Sequence, residues 1–193
     1  MKTLLRIDSS IRHIGSISRD LGDHFVSHWL KKFPGARVIT RDLQSEQVPH
    51  LSQATVQAFF SGLDNDELAL SNGLINELLA CDDILITCPM YNFQIPSSLK
   101  SYLDHVVRVN KTFSYNDGQY MGLLRDKSSY LITTMGGKKD DITQDENFEH
   151  YLRGILAFIG LSNTNIFCAD GTTNPEYLSQ TLPLLKQRIT KII

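Results

Sequence analysis

Cysteine is scarce in this sequence: Cys81, Cys88 and Cys168 are the only three in 193 residues, and no C-x-x-C pair occurs. That is too few and too scattered for a disulfide framework, so buried thiols in a reducing compartment are expected. Long apolar runs are missing as well. No stretch approaches the roughly 20 residues of a membrane span. The short apolar start, MKTLLRIDSS, is interrupted by Arg6 and Asp8, unlike a signal peptide. Charge of either sign is not in excess, since 19 basic and 21 acidic residues leave a formal net charge of −2. Such a balance gives no general pull toward nucleic acid or an anionic membrane. A cytoplasmic protein with neither partner is the expectation. The Asn110-Lys111-Thr112 sequon is then a chance match.

Familiar catalytic and nucleotide signatures are absent too. There is no G-x-G-x-x-G and no G-x-x-x-x-G-K-[ST], which removes the dinucleotide fingerprint and the Walker loop. There is no G-x-S-x-G elbow, and the Cys and His positions suggest no nucleophile pair. His24 and His28 stand i,i+4 without a third ligand and read as a surface pair, so no metal site is expected. Asp82-Asp83 and Asp140-Asp141 read as solvated loop charges, and Lys138-Lys139 as surface. No side chain is assigned a catalytic acid, base or nucleophile role.

What remains is ordinary globular composition, 41% hydrophobic and 21% charged, in a length that suits one domain over residues 1–193. Five β-rich runs stand out: Thr3–Asp8, Ala36–Arg41, Asp83–Cys88, Ser128–Thr134 and Asn163–Ala169. Helix-period segments separate them. Ser16–Lys32 carries Leu21, Phe25 and Trp29 on one stripe and stops at Pro34-Gly35. Asp66–Ala80 groups Leu70, Leu74, Leu78 and Leu79, and Ser97–Val107 groups Leu99, Leu103, Val106 and Val107. Asn147–Gly160 and Asn174–Ile193 follow, the last expected to kink or shorten at Pro183. Asp42–Asn65 reads as a partly helical excursion. Strands alternating with helices predict an α/β fold: a five-stranded parallel sheet in the flavodoxin-like order 2-1-3-4-5, with helices on both faces.

In such sheets ligands bind beyond the carboxyl ends of the strands, where strand order reverses. Three loops therefore matter. Ser9-Ser10 through Gly15-Ser16-Ile17-Ser18 is small and rich in hydroxyls, and it feeds a helix. It is either a phosphate cradle or plain N-capping by Ser16 or Ser18. Pro89-Met90-Tyr91-Asn92-Phe93-Gln94-Ile95-Pro96 is a stiff apolar and aromatic run between prolines. It is either a face for a flat ligand or filler at the core edge. Thr134-Met135-Gly136-Gly137 has paired glycines, either for close approach to a ligand or for a tight turn. At least one of Gly136 and Gly137 is expected at positive φ.

These residues together resemble a known family. Met90-Tyr91-Asn92-Phe93, followed by Ile95-Pro96 and Leu99-Lys100, is similar to the isoalloxazine loop of the FMN-dependent NADH:quinone oxidoreductases, the bacterial azoreductases. Ser9-Ser10 with Ser16-Ile17-Ser18 resembles that family's phosphate loop, and Thr134-Met135-Gly136-Gly137 its third flavin loop. The similarity runs from Leu4 to Gly160 and takes in Thr112-Phe113 and Phe158-Ile159-Gly160. It implies a homodimer with one FMN per subunit and active sites at the subunit interface. NADH, or NADPH, reduces the flavin, which then reduces a quinone or azo compound in a ping-pong cycle. By the same resemblance Ser10, Ser16, Ile17 and Ser18 hold the phosphate. Met90, Tyr91, Asn92 and Phe93 hold the ring, and Thr134, Met135, Gly136 and Gly137 approach its polar edge. Met135 stands where some members carry Arg, and Ile17 where a polar residue is common. A flavodoxin-like electron carrier or binding module, or an NADPH-dependent FMN reductase, is the competing reading.

Overall fold

The computed structural model describes residues 1–61, 66–139 and 146–193. Strands β1 (Thr3–Asp8), β2 (Arg37–Asp42), β3 (Asp83–Pro89), β6 (Ser128–Thr134) and β7 (Thr164–Ala169) make one parallel sheet in the order β2-β1-β3-β6-β7. Counting these five alone, that is the expected 2-1-3-4-5. A separate antiparallel hairpin, β4 (Phe113–Asn116) and β5 (Gln119–Gly122), interrupts the series. The helices are α1 (Ile17–Lys32), α2 (Gln53–Ser61), α3 (Ala69–Ala80), α4 (Ser97–Val106), α5 (Glu146–Phe158) and α6 (Pro175–Ile192), with a 3₁₀ turn at Asp66–Leu68 before α3.

The strands sort their side chains by the two-residue alternation of the pleat. Leu5, Ile7, Ile84, Ile86 and Leu131 join one apolar cluster with residues of α3, α4 and α5. Leu4, Leu85, Ile132 and Phe167 join another with Leu21, Phe25 and Trp29 of α1 and Ile189 of α6. Helices therefore cover both faces, as continuous apolar strands require. The α1 stripe is fully buried, at 0% exposure for Leu21, Phe25 and Trp29. Each such side chain contributes about 1.5–3 kcal/mol of transfer free energy.

Several expectations change. Leu70 and Leu79 are 39% and 48% exposed, while Leu74 and Leu78 are buried. The stripe on α3 is narrower than its leucine count suggests because only one arc faces the sheet. Asp83 is no solvated charge: it is 1% exposed, accepts a hydrogen bond from Trp29 Nε1 at 2.7 Å and pairs with Lys2 at 2.9 Å. Helix α6 is not shortened at Pro183 and runs 18 residues through it. Asn174 caps that helix by accepting from the Tyr177 amide, with Pro175 in its first turn. His24 is more than a surface residue, since its Nε2 meets Lys186 O and Thr190 Oγ1 of α6 at 3.1 and 3.0 Å. The excursion after β2 does contain a helix, α2, and Ser52 caps it by accepting from the Thr55 amide. Residues 62–65, the end of that excursion, and Asp140-Asp141 lie outside the described residues.

The hairpin seats on the end of α5 by backbone contact. Leu124 donates its amide to Ile159 O at 2.9 Å, and a Cβ on Gly122 would collide with the backbone of Ile159 and Gly160. Phe113 and Tyr120 stack on Phe158 there, with ring centroids 4.6 and 5.5 Å away. Gly122→Ala should therefore lower stability by about 1–3 kcal/mol, the usual penalty for overpacking. A urea midpoint equal to the parent's would contradict that seating.

Candidate functional site

The carboxyl ends of β1, β3, β6 and β7 are stitched side by side. The Ser9 amide donates to Thr87 O at 3.1 Å, Met90 to Thr134 O at 2.7 Å and Met135 to Ala169 O at 3.0 Å. Strand order reverses between β1 and β3, and a cleft of about 120 Å³ opens beside that point. Nine of the twelve residues expected at a site line it: Ser10, Ser16, Ile17, Ser18, Met90, Tyr91, Thr134, Met135 and Gly136. Asn92, Phe93 and Gly137 stand just outside the lining. Arg12, Gly15, Pro89 and Thr172 complete it. A larger cavity of about 520 Å³ lies at the opposite end of the sheet, before β6 and β7, where none of the expected residues is found.

In the first loop the capping reading fails. Ser16 occupies the N-cap position of α1 but makes no side-chain cap. Its Oγ instead donates to Ser10 Oγ at 3.0 Å and lies 3.2 Å from Ser18 Oγ. The amides of Ile17, Ser18 and Arg19 find no acceptor among the described residues; the first amide paired back is that of Asp20, to Ser16 O at 2.9 Å. Free amides at a helix start, with the positive end of its dipole, make a place for an anion.

A buried charge network lies under this loop. Arg6 and Asp8, which interrupt the apolar pattern of β1, are only 9% and 3% exposed. Arg6 Nε donates to Asp8 at 3.0 Å, and Thr87 Oγ1 donates to the same carboxylate at 2.7 Å. Arg19 grips Asp42 with both terminal nitrogens, at 2.9 and 2.8 Å, and also donates to Ser10 O at 2.8 Å. Burial lowers the pKa of both guanidiniums, but the facing carboxylates outweigh it and leave each raised. Burial alone would raise the Asp42 carboxyl, but hydrogen bonds from Arg19 and the Gln44 amide hold it at about 2. Nothing in the composition pointed to this network; the two charges in β1 were its only sequence sign.

The second loop is a tight reversal. Tyr91 and Gln94 exchange backbone hydrogen bonds at 2.9 and 3.1 Å, and the two residues between them, Asn92 and Phe93, have φ of +50° and +64°. Two positive φ values define a type I′ turn, which Asn tolerates and Phe resists. Left-handed backbone at a residue like Phe93 costs about 1–3 kcal/mol. The turn leaves the Asn92 and Phe93 amides without an acceptor among the described residues and Phe93 55% exposed. The Tyr91 hydroxyl accepts from the Ile11 amide at 3.2 Å and lies 3.5 Å from Ser10 Oγ, which couples this loop to the first.

The third loop departs from expectation. Neither Gly136 nor Gly137 has positive φ; the left-handed glycine of this corner is Gly171, at +61°. Residues 135–137 instead pair with 171–173. Gly171 and Thr172 donate their amides to Gly137 O and Met135 O at 2.7 and 3.1 Å, and Thr173 donates to Gly136 O at 3.2 Å. The carbonyls are thus consumed, while the Gly136 and Gly137 amides find no acceptor among the described residues. Met135 is buried, at 1% exposure. Thr172 was missed because only tertiary pairing brings it here.

Burial raises Cys81 to about 11 and Cys168 to about 12, and pushes Cys88 higher still, so none is a thiolate at neutral pH. Among the described residues no group of three or more His, Cys, Asp or Glu side chains could hold a metal ion. No helix among them is long and apolar enough to cross a membrane.

Comparison with known proteins agrees with this layout. Residues 1–193 match the model of a family described as having a flavodoxin-like fold. An FMN-dependent NADH:quinone oxidoreductase from Hydrogenovibrio crunogenus is 42% identical over 187 residues, covering 91% of each chain. The crystal structure of azoreductase from Bacillus anthracis str. Sterne superposes with a TM-score of 0.91 at 23% identity, over 100% of this chain and 98% of that one. An FMN-dependent NADH-azoreductase from Bacillus anthracis str. Ames Ancestor, solved in complex with FMN, gives a TM-score of 0.83 at 23% identity, over 100% and 99%.

The charge network makes a pH prediction. A carboxyl held at about 2 rather than 3.8 contributes stability that is complete above pH 4 and lost as pH falls through 2. Its size is on the order of 2 kcal/mol. Asp42→Asn should remove that contribution at neutral pH and flatten the acid limb of the stability curve between pH 4 and 2. Parallel acid limbs for parent and variant would contradict it.

Proposed function

The chain belongs to the family of flavodoxin-like fold, and from that premise we propose that it works as an FMN-dependent NADH:quinone oxidoreductase that also reduces azo compounds. One observation carries the reading. Three loops far apart in sequence converge on one cleft at the reversal point of the sheet, each with backbone amides that find no acceptor among the described residues. That donor set fits FMN, which has a phosphate dianion at one end and a flat ring with acceptor atoms at the other. In this reading residues 1–193 form a single domain that holds one flavin.

When bound, FMN accepts two electrons as hydride from NADH and delivers them to a quinone or azo acceptor. The chain binds and orients it. Ile17, Ser18 and Arg19 offer their amides to the phosphate, with the hydroxyls of Ser10, Ser16 and Ser18 beside them. The amides of Asn92, Phe93, Gly136 and Gly137 are the donors available to the ring's acceptor atoms. They stabilise negative charge there with little reorganisation, because the turn and the 135–173 pairing already hold them in place. Met90 and Tyr91 supply the surface against which a ring packs.

We take the working form to be a cytoplasmic homodimer. Its support is the family resemblance, the free thiols, and an aromatic surface on the hairpin where Tyr115 and Tyr120 are 51% and 65% exposed. The test begins with the visible spectrum of the purified chain with FMN added. One FMN per chain, bleached by NADH and restored by a quinone, is expected. No uptake of FMN would contradict the function outright. Replacing Ser16 and Ser18 with Ala should weaken FMN far more than riboflavin, each lost charge-assisted bond costing about 1.5–3 kcal/mol. Equal losses for the two flavins would remove the serines from the phosphate site.

A further inference from the structure

We propose that Arg12 is the charged side chain that adds to the serine loop in selecting a phosphorylated flavin over an unphosphorylated one, an inference that rests on the FMN reading above. Among the described residues lining the cleft, Arg12 alone carries a formal charge. No described carboxylate pairs with it. The acids beneath the loop are already committed: Asp8 to Arg6 and Arg19, and Asp42 to Arg19 and His13. The other cations near the cleft are committed too. Arg6 and Arg19 are locked in that network, Lys138 lies over the Tyr177 ring at 4.4 Å, and Lys139 pairs with Glu149 at 3.2 Å. Arg12 is what is left to meet an incoming anion.

Its position fits the task. The Arg12 amide donates to Ser10 Oγ at 3.2 Å, which ties its backbone to the serine cluster. Gly15, with φ +65°, turns the chain so that the guanidinium lies over it, Nη2 3.6 Å from where a Cβ on Gly15 would stand. That puts the side chain beside the start of α1. Charge arithmetic makes the need plain. A phosphate monoester carries about −1.5 to −2 at neutral pH. The start of a helix supplies only about +0.5. One guanidinium, planar and able to donate two parallel bonds to phosphate oxygens, offsets most of the remainder. Riboflavin has no such charge and loses nothing without Arg12.

The experiment titrates the full chain and its Arg12→Gln and Arg12→Lys variants with FMN and with riboflavin, following quenching of flavin fluorescence. Arg12→Gln should bind FMN about tenfold more weakly, the lower end expected for a charge-assisted bond at an exposed site, and riboflavin as the parent does. Arg12→Lys should recover most of the lost FMN affinity. Parent binding of FMN should weaken as salt rises toward 0.5 M, about the range where exposed charges are screened, and the Gln variant should respond less. An Arg12→Gln protein that binds FMN like the parent overturns the proposal, and so does one that loses FMN and riboflavin equally. A parent that binds neither flavin overturns instead the functional reading on which the proposal stands.

Discussion

The Arg19 guanidinium is the contact on which the cleft depends. It reaches from the first turn of α1 to Asp42 at the end of β2, lies 3.4 Å from Asp8 at the end of β1, and holds the carbonyl of Ser10 in the loop between. One planar group thus sets two strand ends, the loop and the helix start relative to one another. A buried ion pair is weak evidence for stability, since desolvation cancels much of its attraction. Removing one partner is different, because it strands a charge. The network therefore penalises other arrangements of the loop more than it favours the folded state over the unfolded. That suits a site whose free amides must not turn inward to pair with the protein.

The three loops solve the same problem by different means. The first leaves its amides free because the serine hydroxyls satisfy one another rather than cap the helix. The second leaves them free by a left-handed turn at Asn92 and Phe93, at a conformational cost that the Tyr91–Gln94 pair helps to hold. The third spends its carbonyls on residues 171–173 and keeps the Gly136 and Gly137 amides outward. In each case backbone donors are left facing outward. A chain with no acid–base pair in its cleft can still do redox chemistry, because the cofactor reacts and the protein sets its geometry and field.

Much of this was legible in the sequence where one local rule dominates. The central strand runs and the Leu21–Phe25–Trp29 stripe read correctly because burial on both sheet faces demands them. That the three loops meet could be read because parallel strands deliver their carboxyl ends to one edge of the sheet. Legibility stopped where tertiary pairing decides. Asp83 looks like a solvated charge until Trp29 and Lys2 are brought to it. Gly136 and Gly137 suggest left-handed backbone, yet the pairing with 171–173 keeps them out of that region and hands it to Gly171. Thr172 has no local signature at all, and the Arg19 network shows only in the two charges of β1. The hairpin differs, since Asp117-Gly118, with φ of +52° and +78°, is a strong local turn signal between two aromatic runs and could have been read.

The central claim is that donors withheld by three loops define one flavin site at the reversal of the sheet. A crystal structure of the chain grown with FMN tests it most directly. The account predicts the phosphate within hydrogen-bond distance of the Ile17, Ser18 and Arg19 amides, with the ring bordered by Tyr91–Phe93 on one side and Gly136–Gly137 on the other. A flavin seated instead in the larger cavity at the far end of the sheet, beside Arg125 and Lys127, would contradict it.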